Sequence, residues 1–378
     1  MFNNNDYSYE QAKRRERYLR RRFKTGDRTF LTGNRKSKIV IHDINTKDII
    51  FSSEQTQKHV KMDRKKFRLA LQHMFFYRTA IRKDMEKYHE FTSALFALIE
   101  GALDGLVKCQ KTFRGLLRLT LKSVRYFFAG LETSEKDRSL VHSLGARFVL
   151  LSYFHLRNLK NENWIEHIRS LNLKVLIDSG AFSIMKAKRS NNEQAKEIEP
   201  ISLDDYADFL IKYKSDIMGF FNLDVENDIE ATRYNARELE KRVQMAPIPV
   251  WHLGMGWEEL QRIVETEPAI VGIGGTVFMP STNQKRAFFK ELFKRQPDQP
   301  FHWLGGSNYL LQEFPFFSAD STGWNIGRQY RRLIPMYRPQ IDAPDDWSSL
   351  DALSYNIKQL IKLEESYDYS QWELPMLA

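Results

Sequence analysis

From about residue 124 onward the chain repeats one rhythm, a short apolar run followed by an amphipathic stretch, and it does so eight times. The runs are Tyr126–Leu131, Phe148–Tyr153, Lys174–Ser179, Met218–Asp224, Ile248–Leu253, Ile270–Gly274, Phe301–Gly305 and Phe316–Ser321. Most are separated by enough chain for a helix, as in LDDYADFLIKYK and DIEATRYNARELEKRVQ. Strand and helix in alternation is the pattern of a parallel sheet. Eight such units over about 200 residues predict an α/β fold, a closed (β/α)8 TIM-type barrel. An open doubly wound sheet is the competitor, but no G-x-G-x-x-G opens a helix after an early strand.

The front of the chain differs in charge. Residues 1–125 carry 29 Lys+Arg against 13 Asp+Glu, a net of +16, while the rest carries 29 against 35, a net of −6. Counterion release rewards clustered Lys and Arg, so a polyanion is the simple inference for a partner; a solvated helical surface is the alternative. Residues 7–24 predict a basic helix, or an arm that orders on DNA, with Arg14 and Arg21 as candidate contacts. KIVIHDINTKDIIFSS reads as a hairpin around Asn45-Thr46-Lys47.

After the hairpin, Ser53 is placed to cap one helix. Lys61-Met62-Asp63 forms a turn into a second helix bearing Arg64, Lys65, Lys66 and Arg68. This order resembles the small helix-turn-helix modules appended to homing endonucleases, with a structural helical pair as the alternative. Residues 74–122 read as helical from Phe91, Leu95, Leu98, Ala102 and Leu106, with Lys108, Lys111, Arg114, Arg118 and Lys122 as a second basic face. The expected organisation is a basic, mainly helical region 1–122, a barrel 123–338, and a tail 339–378 with one helix (Ser348–Glu365) and an aromatic-rich end.

Several classes are disfavoured. No run of eighteen apolar residues predicts a membrane span, and the basic start has no apolar segment of a secretory signal. A single cysteine, Cys109, excludes an internal disulfide and a Cys-rich zinc cluster, so a reducing cytoplasm is expected.

Barrel enzymes build their sites at the carboxyl ends of the strands. Those ends carry Glu132, Asp178, Asp224, His252, Gly274-Gly275, Gly305-Gly306 and Asp320. Strand eight lies across from strand four, so Asp320 should face Asp178 and Asp224. Such carboxylates suit glycosidic chemistry, one attacking an anomeric carbon while another moves a proton. A site for a hard cation, joined by His252, is the rival use, although no H-x-H or H-x-x-x-H spacing exists and no cofactor is required.

Each residue also has a structural alternative. Asp178-Ser179-Gly180 also reads as a capped turn, Asp224 and Asp320 as helix N-caps, His252 as a packed histidine, and Glu132 as a surface loop residue. Ser307 precedes NYLLQEF, a candidate helix whose N-terminus would face an anion, and Arg328, Arg331 and Arg332 could grip a DNA backbone or pair with the tail. Phe182, Trp251, Trp257, Phe278, Trp303 and Trp324 are candidates to stack on a flipped base, most of them expected to be packing.

The motif KVLIDSGAFSIM (174–185) resembles the D-S-G-G-F/Y-Q-x-M signature of the tRNA-guanine transglycosylase family. FFNLDVEND, IVGIGGTVF and FFSADSTGW follow in that family's order, and RYFFAGLE and PFHWLGGSN look still more like its phage and bacterial branch that acts on DNA. The resemblance covers roughly residues 124–325. It implies Asp320 as the nucleophile at C1′ and Asp178 as general acid/base. It further implies Asp224 on the base edge, Gly274 and Gly275 allowing close approach, and His252, Ser179 and Phe182 in the base-binding set. Ala181 and Ser183 replace the family's Gly and Gln, Val225 replaces the cysteine beside Asp224, and the zinc cluster and tRNA-holding elements are missing. The expected activity is therefore a DNA base glycosylase or transglycosylase, tilted toward excision of a modified base in phage–host conflict. RNA base exchange and a non-catalytic DNA-binding barrel are the alternatives.

Overall fold

The structure, a computed structural model, describes residues 7–32, 37–54, 57–184 and 199–365. Met185 of the motif and the aromatic-rich end lie outside the described residues. The chain divides into two compact units, Met1–Lys122 and Ser123–Ala378.

The first unit opens with the helix Tyr7–Lys24, which buries Ser8, Ala12, Glu16 and Leu19 along one stripe and leaves Arg14, Arg17 and Arg21 exposed. Strands β1 (Thr29–Leu31), β2 (Lys38–Ile44), β3 (Asp48–Ser53) and β4 (Val60–Asp63) form an antiparallel sheet in that order. The β2–β3 hairpin forms where expected, and Asn45 Oδ1 accepts from the backbone N–H groups of Lys47 (2.9 Å) and Asp48 (2.8 Å).

The expected helix-turn-helix does not form. Residues 60–63 are a strand on the free edge of β3, pairing Met62 with Ile49 and Val60 with Phe51, and Ser53 ends β3 instead of capping a helix. Alternation decides this, because Met62 faces the core while Lys61 faces water. The second helix is real: Arg64–Tyr77 starts at Asp63, whose carboxylate accepts from Lys65 N and Lys66 N.

The long helical reading of 74–122 is also corrected. Only Thr92–Ala102 continues as a substantial helix, and β5 (Thr79–Ile81), β6 (Val107–Lys111) and β7 (Leu117–Leu121) make an antiparallel sheet in the order β5-β7-β6. Leu117, Leu119 and Leu121 alternate with Arg118 and Thr120, and all five are buried, so the supposed basic face is broken at Arg118. The first unit is thus mixed α and β, not mainly helical.

The second unit contains eight parallel strands: β8 (Arg125–Ala129), β9 (Phe148–Ser152), β10 (Lys174–Asp178), β11 (Ile217–Phe220), β12 (Val250–His252), β13 (Val271–Gly274), β14 (Phe301–Leu304) and β15 (Ser318–Ser321). Each falls on one of the eight expected runs. Hydrogen-bonded order runs β11-β10-β9-β8-β15-β14-β13-β12. A parallel bridge between Phe221 and Ile248 joins the two ends, with Ile248 N donating to Phe220 O (2.8 Å) and Asn222 N to Ile248 O (3.0 Å). A TIM-like α/β fold follows.

Alternate residues separate two layers. Phe128, Val149, Ile177, Ile273 and Trp303 pack outward against helix residues such as Leu210, Leu239, Leu260 and Phe289. Inward positions are filled by Phe127, Phe221, His302, Ser318 and Asp320, and glycine at 272 admits Phe221 and Leu304. At the amino ends of the strands Arg125 lies 3.8 Å over the Phe148 ring and pairs with Glu364 (2.7 Å) on the helix Ser349–Glu365. Short strands β16 (Arg332–Leu333) and β17 (Ile341–Asp342) lead into that helix. Among the described residues no helix is long and apolar enough to cross a membrane.

Candidate active site at the carboxyl ends of the strands

Asp178 is the last residue of β10 and stays half-buried. Its Oδ2 accepts from Gly180 N (3.0 Å), so the turn reading of Asp178-Ser179-Gly180 holds as local structure. Gly180 has φ +84°, and a Cβ there would lie 2.3 Å from Phe154 and 2.7 Å from Ser152 Oγ. Burial, then the charge of Asp320, then those of Asp224 and Glu132 push the Asp178 carboxyl up to about 7 against the Gly180 hydrogen bond.

Asp320 is 7% exposed on β15. Its Oδ1 is faced by His302 Nε2 (3.1 Å) and by Gly305 N (3.4 Å), and it caps no helix. Its charge also acts on Tyr126, whose hydroxyl is driven well above its ordinary value by burial first and Asp320 second. Asp178 and Asp320 therefore feel one another inside the same end of the barrel.

Asp224 follows β11 by four residues. Its Oδ2 meets His252 Nε2 (2.9 Å) and its Oδ1 accepts from Asn222 Nδ2 (3.3 Å); burial raises its carboxyl, opposed by His252. The following helix, Ile229–Val243, is capped by Asp228, so the N-cap alternative for Asp224 fails. Gly274 has a different use from the expected one. A Cβ there would lie 2.5 Å from His252 Nδ1, so the missing side chain makes room for the imidazole that holds Asp224.

A cavity of about 510 Å³ opens here, lined by Asp178, Ser179, Phe182, Asn222, Asp224, His252 and Gly275, with Leu253, Met255, Phe278 and Leu304 as apolar wall. Asp320 and Gly274 are not among the lining residues but each pairs with one, Asp320 with Leu304 and Gly274 with His252. Glu226 and Asp228 also line it, and among the described residues no Lys or Arg does. Of the six aromatic candidates, Phe182 and Phe278 line the cavity and pack together at 5.5 Å. Trp251, Trp303 and Trp324 are buried, each indole N–H bonded to Gly256 O, Thr276 Oγ1 and Ala129 O respectively, and Trp257 packs against Trp251 and Phe288. Among the described residues no group of three His, Cys, Asp or Glu is arranged to hold a metal ion.

Two site residues escaped or were underrated by the sequence. Glu132 is no surface loop residue: it is buried and accepts from Ser152 N (2.8 Å) at the foot of the Asp178 turn. His302 lies inside PFHWLGGSN but is not singled out there; its signal is a polar residue at an inward position of the apolar strand Phe301–Leu304.

The candidate nucleic-acid contacts separate into two kinds. Arg14, Arg21, Lys65 and Lys66 are exposed. Arg64 and Arg68 both reach the buried Glu16 (2.7 Å each). Arg328 pairs with Asp137, Arg331 donates to the carbonyls of Pro344, Asp345 and Trp347, and Arg332 pairs with Asp342 (3.4 Å), so these three bind their own unit. The helix expected after Ser307 is a single turn, Leu310–Glu313, whose first N–H is met by Asn308; Ser307 lies against Gly323.

No family model matches the chain, and no curated protein matches it. A solved structure from Aquifex aeolicus VF5, titled "Structural study of Project ID", is similar at 12% identity and TM-score 0.39, covering 65% of this chain and 93% of that one.

Proposed function

We propose that the chain cleaves the N-glycosidic bond of a modified base in DNA, with Asp320 as nucleophile and Asp178 as general acid. The observation that carries this is the Asp178 carboxyl, held near 7 beside a second carboxyl and facing a cavity walled by Phe182 and Phe278. A group titrating at that pH gives and takes a proton at neutrality.

In the first step a carboxylate oxygen of Asp320 bonds to C1′. The C1′–N bond breaks, its electron pair goes to the base nitrogen, and the Asp178 proton neutralises the leaving base. Asp178, now ionised, takes a proton from water as it attacks C1′, which frees Asp320 and leaves an abasic site; an incoming base in place of water gives exchange. Asp224, fixed by His252, is suited to accept from a donor on the base edge. The exposed Arg14, Arg21, Lys65 and Lys66 of the net-positive first unit suit a DNA backbone.

The test is incubation of the protein with native DNA and with phage DNA carrying modified bases, followed by mass spectrometry of free bases and nucleosides. Release from modified DNA, lost in both Asp320→Ala and Asp178→Ala while DNA affinity persists, supports the reading. Tight binding with no change in any DNA favours a non-catalytic barrel, and release by both variants removes Asp320 and Asp178 from the chemistry.

A further inference from the structure

The inward positions of β14 and β15 hold a chain of polar side chains, Ser318, His302 and Asp320. His302 is 1% exposed and sits between the Phe127 ring (5.9 Å) and the Phe221 ring (5.0 Å). Its Nδ1 lies 2.8 Å from Ser318 Oγ and its Nε2 lies 3.1 Å from Asp320 Oδ1. A carboxylate oxygen only accepts, whereas a hydroxyl can donate or accept. A neutral imidazole in this place thus has one consistent tautomer: Nε2–H donates to Asp320 and Nδ1 accepts the Ser318 hydroxyl proton. The opposite tautomer would set a nitrogen lone pair against a buried carboxylate.

We propose that His302 is a positioning residue that occupies Oδ1 of Asp320 and leaves Oδ2 as the attacking oxygen. Gly305 N, 3.4 Å away, aims at the same Oδ1 and strengthens the asymmetry. The inference rests on the reading of Asp320 as nucleophile. Oδ2 forms the bond to C1′ as the C1′–N pair leaves with the base and the Asp178 proton. Oδ1 becomes the carbonyl oxygen of the ester and keeps its donors, so no proton moves through His302. Its contribution is orientation, the kind of effect by which a small misplacement of a reacting group lowers turnover without touching substrate binding.

The experiment has two arms on the full-length protein. In the first, 15N NMR of the histidine side chains reads the tautomer of His302, identified by its loss in His302→Gln. Protonation at Nε2, with a shift at Nδ1 in Ser318→Ala, is expected; protonation at Nδ1 overturns the proposal. In the second, base release from phage DNA is compared for wild type, His302→Gln and His302→Phe, each checked for a native NMR spectrum. His302→Phe should lower kcat by about 10- to 100-fold, the range for one charge-assisted hydrogen bond, with KM nearly unchanged, and His302→Gln, which keeps a donor, should recover most of it. A fully active His302→Phe beside an active wild type overturns the positioning role alone. A wild type that releases nothing from any DNA removes the glycosidic reading, and the attacking role with it.

Discussion

Replacing Asp178 by Asn should make the protein more stable relative to wild type as the pH rises. An ordinary carboxyl of this type ionises near 3.8, and here burial first and Asp320 second lift it to about 7. Below the ordinary value the carboxyl is protonated in both folded and unfolded chains and contributes no difference. Between the two values the unfolded chain has released its proton and the native one still holds it, so stability falls as pH rises. Above about 7 the native carboxyl must ionise as well, and the full penalty is present. The gap between the two values corresponds to about 4 kcal/mol, of which about 2.7 kcal/mol falls between pH 5 and pH 8.5. The side chain borders a water-accessible cavity, which reduces the observable change to roughly 1–2 kcal/mol. Asn cannot ionise, and its Oδ1 can still accept from Gly180 N. Thermal unfolding of wild type and Asp178→Asn at pH 5 and pH 8.5 should therefore show a difference that grows by roughly 2–8 °C toward the higher pH. A difference that stays constant across that range refutes the burial argument for Asp178.

Three further outcomes follow from named contacts. Gly274→Ala should expel the His252 imidazole, because the new methyl falls 2.5 Å from its Nδ1, and should cost about 1–3 kcal/mol; a crystal structure that keeps the His252–Asp224 bond would contradict this. Arg125→Ala should destabilise the barrel unit by about 2–3 kcal/mol, since it removes the buried Arg125–Glu364 ion pair and the cation stacked on the Phe148 ring, and urea titration checks it. Glu16→Ala should lower the stability of the first unit by about 2–3 kcal/mol, less than for a fully enclosed pair because Arg64 and Arg68 retain some exposure; a loss under about 0.5 kcal/mol in denaturant titration would show that Glu16 is not what fixes them.

The barrel was legible because each of its strands is buried on both faces, so every one appears as an apolar run bounded by polar chain. The rule that sites gather at carboxyl ends then reached Asp178, Asp224, His252 and Asp320 without any contact information. The first unit was harder for a physical reason. In 60–63 and 107–121 the apolar residues alternate over only two or three positions, and lysines and arginines between them imitate the polar face of a helix. What settles them as strands is a partner edge, β3 for the first and β5 for the second, and no local pattern encodes a partner. The same limit hid His302. Its meaning comes from Ser318 and Asp320 on the next strand, sixteen and eighteen residues on.

The distribution of charge gives a final constraint on any substrate. Asp178, Asp224, Glu226 and Asp228 contribute to the cavity lining, which among the described residues includes no Lys or Arg; the rest is apolar and neutral polar, such as Phe182, Phe278, Leu253, Leu304, Ser179 and Asn222, beside His252. A phosphate brought among these carboxylates would be repelled. Under the proposed reading the nucleic-acid backbone must then stop at the rim and only the base and its sugar can enter. That is the requirement of an enzyme that extrudes a nucleotide. The arginines that follow β15 do not relax it, since Arg328, Arg331 and Arg332 are held by Asp137, by the carbonyls of 344–347 and by Asp342. Under that reading, affinity for a polyanion and chemistry on a neutral ring draw on different residues of this chain. Loss of exposed cations such as Lys65 and Lys66 should weaken binding while leaving the Asp178 titration untouched.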